Sequence, residues 1–129
     1  MTIDGSVVVS IDLPSEFLSD ILITAFDGSY GGCWYWATPA MDGWLVTDDT
    51  RDELGHRLWW SVYVAEREDN SGNQWLVTRG TVLLGIQRAI EDAYPGVADA
   101  VIGKDAGDID AELADIIVQY GVFGKLVYG

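Results

Sequence analysis

Cys33 is the only thiol of the chain and His56 its only imidazole. A thiol beside an imidazole is the smallest pair that can do nucleophilic chemistry, because the base removes the proton that keeps the sulfur weakly reactive. The same two residues have a plainer reading. A lone Cys inside the aromatic run Cys33-Trp34-Tyr35-Trp36 suits a small buried side chain, and His56, just past an acidic loop, suits the surface. One Cys and one His cannot close a structural zinc site, so no metal and no cofactor is expected.

Carboxylates form two local concentrations: Asp48, Asp49, Asp52 and Glu53, and Asp105, Asp108, Asp110 and Glu112. The second group lacks the alternating ligands and fixed glycine of a calcium loop. Acidic residues are favoured in a first helical turn, which explains it without a metal. Both groups remain candidates for binding a basic partner. The glycines Gly28, Gly31 and Gly32 follow a helix and precede no Lys, so they lack the setting of a phosphate loop.

Across the 129 residues, 21 acidic side chains face 7 basic ones, a net charge of −14, yet 49% of the chain is hydrophobic and it holds 6 Trp and 6 Tyr. A disordered acidic tail lacks the apolar groups needed to bury surface. The composition therefore predicts one folded domain spanning residues 1–129 with an acidic skin. Such a skin repels nucleic acid and anionic membrane and attracts basic surfaces, including those that hold DNA or RNA. The excess of Asp over Glu, 15 to 6, also fits adaptation to high salt. No apolar run reaches the ~20 residues of a membrane span and no secretory signal pattern begins the chain, so a cytoplasmic protein is expected.

The aromatic residues offer a second kind of surface. Neighbouring residues of a strand point to opposite faces, so Trp34, Tyr35 and Trp36 or Trp59 and Trp60 cannot all face one layer of helices. Trp34, Trp36, Trp59 and Tyr63 are the candidates for an aromatic binding face, open to a ligand, a protein or a second subunit.

The elements that must hold these residues follow from periodicity. Val7, Val9 and Ile11 alternate as a strand, and a helix from about Pro14 to Phe26 places Leu18, Ile21, Leu22, Ala25 and Phe26 on one face. Cys33–Ala37 reads as a strand that pairs, across Pro39 and the Asp42-Gly43 turn, with Trp44–Thr47. Arg57–Ala65 reads as a central strand and Trp75–Val77 as another. Thr78 caps a second helix with Val82, Leu83, Ile86, Ala89 and Ile90 in one stripe, in which Gly85 marks a close packing contact. Asp108 or Asp110 caps a third, with Leu113, Ile116, Ile117, Tyr120 and Phe123. The expected fold class is α+β: an antiparallel sheet of about four to five strands with about three helices on one face.

Gly31-Gly32-Cys33-Trp34 is similar to the surroundings of the nucleophile in papain-like proteases, but those enzymes place a His and an Asn far downstream and this chain has only His56. A broader likeness rests on the segment Asp20 to Gly28 with Tyr35-Trp36-Ala37, and on Asp108 to Gln119 with Phe123 to Gly129. These resemble small acidic proteins of phages and prophages of actinobacteria. The resemblance implies a phage or prophage setting, in which small acidic proteins act on host defence. The expected function is then a non-enzymatic accessory protein that binds a basic site on a nucleic-acid-binding host protein, as a nucleic-acid mimic that blocks a defence nuclease. A ligand-binding module built on the aromatic face and a Cys33/His56 thiol enzyme are the alternatives, and a homo-oligomer is compatible with each.

Overall fold

A computed structural model describes residues 4–27, 31–51, 57–67 and 72–129, with the backbone alone described at 41, 42, 44–51, 57–60 and 106. Helix α1 (Ser15–Phe26) is followed by strands β1 (Ala37–Arg51), β2 (Arg57–Glu66) and β3 (Gln74–Thr78), then helices α2 (Arg79–Glu91), α3 (Val97–Gly103) and α4 (Ala111–Phe123), with a 3-10 turn at Ala106–Asp108. The strands form one antiparallel sheet in the order β1-β2-β3. The class is α+β as expected, but the sheet has three strands among the described residues, not four or five, and the helices number four.

Two expected strands account for the difference. Val7–Ile11 lies in no strand, since it pairs with none of the three strands described. Cys33–Trp36 is a turn. There Cys33, Trp36 and Ala37 are buried while Trp34 and Tyr35 are exposed, a spacing of three and four residues that belongs to helical geometry, not to a strand. The sequence between them and β2 is then one strand with register shifts between Pro39 and Trp44 in place of a hairpin, since a proline and a glycine can be absorbed in a bulge.

Helices α1 and α4 sit where their stripes predict, while on α2 Val82, Ile86 and Ala89 are buried but Leu83 and Ile90 of the expected stripe are exposed. On α1, Leu18, Ile21, Leu22, Ala25 and Phe26 are buried, against β2, whose Val62 and Val64 point inward. Pro14 holds the N-cap position, and its carbonyl accepts from the Phe17 and Leu18 amides. Thr78 and Thr81 cap α2 reciprocally, each side chain accepting from the other's amide at 3.1 Å. Asp110 caps α4, accepting from the Leu113 amide at 2.8 Å.

Helices α2 and α4 cross at a glycine contact. A Cβ on Gly85 would lie 1.9 Å from the Ile117 carbonyl oxygen, and one on Gly121 would lie 2.3 Å from that of Thr81. Only hydrogen at these positions lets the backbones approach so closely, which is the packing contact expected at Gly85. The stretch after Pro95 supplies α3, whose Val97, Ala100 and Val101 join the core.

Candidate functional site

Asp115 is the centre of the most developed polar arrangement in the structure, and periodicity alone did not single it out. It faces inward from α4 at 6% exposure. Its Oδ2 accepts from the Tyr35 hydroxyl at 2.5 Å, and its Oδ1 accepts from Trp36 Nε1 at 2.7 Å and from Gln119 Nε2 at 3.0 Å. Three donors around one carboxylate supply in fixed form the hydrogen bonds that water gives in solution, which is the condition for burying such a group. Gln119, one turn further along the helix, carries the network onward: its Oε1 accepts from the amides of Val127 and Tyr128 at 2.9 and 2.8 Å, and its Nε2 donates to the Tyr128 carbonyl at 3.1 Å. The signal was present in the sequence as two polar residues four apart among the apolar ones that follow Glu112 on this helix.

Aromatic rings complete this junction. Trp36 is fully buried and stacks on Tyr128 at 5.2 Å between centroids, with Phe123 at 5.4 Å and Trp75 edge-on at 6.1 Å. Trp36 is therefore a core residue that anchors the C-terminal segment, and its place among exposed aromatic candidates is corrected.

Cys33 lies against the same carboxylate. Its thiol is buried, and burial together with the negative charge of Asp115 pushes its pKa well above the ordinary 9.0. A thiol so placed stays protonated, the reverse of the electropositive and accessible setting that activates a cysteine nucleophile. His56 lies outside the described residues. The Tyr35 hydroxyl is also shifted up, first by its sheltered position and then by the hydrogen bond and charge of Asp115.

Above the network an open pocket of about 470 Å³ is lined by Gly32, Tyr35, Glu112, Asp115, Ile116 and Tyr128, among others. Two carboxylates and two phenol rings would favour a cationic group over an anion there. The carboxylate at its base already has its hydrogen bonds supplied from within.

Of the acidic candidates, Asp105, Asp108, Asp110 and Glu112 are all exposed along the connection from α3 into α4. Two of them also do local structural work, since Asp105 Oδ1 accepts from the Gly107 amide at 2.9 Å and Asp110 is the helix cap. Among the described residues no three Asp, Glu, His or Cys side chains come together in a way that could hold a metal ion. Asp48 and Asp49 lie on β1 with side chains outside the description, and Asp52 and Glu53 lie outside the described residues.

Of the aromatic candidates, Tyr63 is 46% exposed and pairs across the strands with Leu76, 43% exposed, on the face of the sheet away from α1. Trp34 is exposed too, but Arg67 covers its ring at 4.3 Å and donates to its carbonyl at 3.0 Å. The Trp59 side chain is not described. Trp34 and Tyr63 thus stand in separate settings, one at the turn and one on the sheet. No helix among the described residues is long and apolar enough to cross a membrane. Comparison with family models, with curated proteins and with solved structures gives no match.

Proposed function

We propose that this chain is a non-enzymatic, phage-type accessory protein that acts by binding a basic surface on another protein. The observation that carries this reading is the exposed series Asp105, Asp108, Asp110 and Glu112 on a chain whose net charge is −14. Two of its seven cations are engaged elsewhere in the fold. Arg67 lies over Trp34, and Arg88 donates to the Tyr120 carbonyl at 2.9 Å. The finer form of the proposal is that the surface competes with nucleic acid for a host nuclease or other defence protein, since a site that binds phosphates by counterion release also attracts carboxylates.

The thiol-enzyme reading is not carried forward, because Cys33 is held protonated and enclosed. A test follows from the geometry of the acidic connection. Asp108 and Glu112 can be reversed to Lys without removing the hydrogen bonds of Asp105 and Asp110. The immobilised protein should retain nucleic-acid-binding proteins of the host, release them at high salt and release them to competing duplex DNA. The Asp108→Lys/Glu112→Lys variant should retain far less. Equal capture by both proteins would refute the acidic-surface reading.

A further inference from the structure

We propose that residues Ser6–Ile11 form a strand that is completed by a second copy of this chain, adding to the free edge of β3 in a reciprocal dimer. The segment has the composition of a strand, with Val7, Val8, Val9 and Ile11 in six residues, and β-branched side chains favour the extended backbone. Among the described residues it has no strand partner, and no backbone hydrogen bond is described for residues 4–13. Val7, Val8 and Val9 are 85%, 95% and 74% exposed. A strand that packs one face on a core hides every second residue; here both faces are bare. Nor is the segment seated on the helices behind it, since a cavity of about 660 Å³ opens between it and Leu83, Ile86 and Ile90.

The complementary element is β3. The Glu66 amide donates to the Asn73 carbonyl at 2.9 Å, which fixes the phase of the β2–β3 ladder: Asn73, Trp75 and Val77 direct their backbone groups at β2, and Gln74, Leu76 and Thr78 direct theirs outward. Consistently, the outward Thr78 amide is the one that donates to the Thr81 hydroxyl. No hydrogen bond is described for the outward amides and carbonyls of Gln74 and Leu76. An edge of this kind is a template for one more strand.

Charge identifies the occupant as another copy. In a chain of net charge −14, residues 5–11 and 74–78 contain no charged side chain, so two copies can bring these pieces together without opposing carboxylates. A basic partner would have nothing to pair with at either. In a two-fold arrangement each copy gives one segment and receives one, so the strand contact counts twice toward the ~1,000 Å² that a specific interface requires.

Sedimentation velocity on the full chain tests this. The wild type should dimerise, and more tightly as salt rises, because screening removes the repulsion between two acidic bodies. Capture of a basic partner should weaken with salt, so failure of one reading leaves the other standing. Val8→Pro removes an amide for which no hydrogen bond is described and should leave the melt unchanged while raising the dimer dissociation constant at least about tenfold. Leu76→Pro should do the same from the receiving edge. An equal mixture of the two should recover dimer, since one Leu76→Pro segment can still pair with one intact edge. If Leu76→Pro fails to fold, Leu76→Lys, which sets a charge beside the incoming strand, takes its place. A wild type that remains monomeric at high salt and high concentration, or a dimer that survives Val8→Pro, overturns the proposal.

Discussion

The Tyr35 hydroxyl and the Asp115 carboxylate are joined at 2.5 Å across 80 positions of sequence, and this bond ties the turn between α1 and β1 to the middle of α4. Trp36 makes the second tie from the same turn to the same carboxylate. Through Gln119, which donates to Asp115 and accepts from the Val127 and Tyr128 amides, the connection extends to the C-terminal segment, so three parts of the chain are joined in one network.

Removing that acceptor should be severe. Asp115→Ala leaves the Tyr35 hydroxyl, the Trp36 indole N–H and part of the Gln119 amide without their partner; the buried Trp36 and Gln119 donors cost about 1–3 kcal/mol each when left unmade, and the Tyr35 hydroxyl, on an exposed residue, costs less. Chemical denaturation should show a loss of about 3–5 kcal/mol, a large share of the ~5–15 available to a domain of this size. A loss below about 1 kcal/mol would show that water replaces the carboxylate freely.

Stability should fall at alkaline pH for an identifiable reason. The Cys33 and Tyr35 protons are held more tightly in the folded state than at their ordinary values of 9.0 and 10.0. The contribution is complete below those values and is lost as pH rises from them toward the higher folded-state values, because the unfolded chain releases its protons first. Melting temperature should decline from about pH 9 upward, and Tyr35→Phe with Cys33→Ala should flatten the decline. An unchanged slope in that double variant would assign the effect elsewhere.

Cys33 should resist alkylation in the native state and react only as fast as the protein opens, since it is enclosed and protonated. Denaturant should accelerate labelling in proportion to the open population. Rapid native labelling near neutral pH would contradict the enclosure.

Gly85→Ala reverses an ordinary expectation. In a solvent-facing helix the change would stabilise by ~1 kcal/mol, but here the added carbon would meet the Ile117 carbonyl at 1.9 Å. A net loss of about 1–3 kcal/mol is expected from forcing α2 and α4 apart. A gain in melting temperature would show that the helices separate at little cost.

Much of this was legible in the residues. The stripes of α1 and α4, the Val82, Ile86 and Ala89 part of that of α2, the Thr78 and Asp110 caps and the tight contact at Gly85 follow from local periodicity and capping chemistry, which depend on neighbours a few positions away. The turn at Cys33–Trp36 was not, because five residues rich in aromatics satisfy a strand pattern while their burial follows a helical one; the choice was made by docking, with the Gly32 and Cys33 amides donating to the Thr24 and Ala25 carbonyls. Asp115 was passed over among 21 acidic residues because its role depends on partners 79 and 80 positions away. Val7–Ile11 has a strand's pattern without a strand's neighbour, and no sequence pattern carries the identity of the neighbour.

The protein itself should not bind nucleic acid. Arg67 and Arg88 are engaged within the chain, and a net charge of −14 opposes any phosphate backbone. A mobility shift at low salt should show free DNA and free RNA throughout, and a salt-sensitive complex at micromolar protein would contradict this.

The central claim, that exposed carboxylates from α3 into α4 capture a basic partner, is tested most directly by measuring that capture against salt for the wild type and for Asp108→Lys/Glu112→Lys. Host nucleic-acid-binding proteins should be held by the wild type at low salt, lost steeply as salt rises, and largely absent from the variant at every salt, with both proteins melting alike. Undiminished capture by the variant, or wild-type capture indifferent to salt while its melting temperature climbs, would contradict the account and assign the acidic skin to solubility.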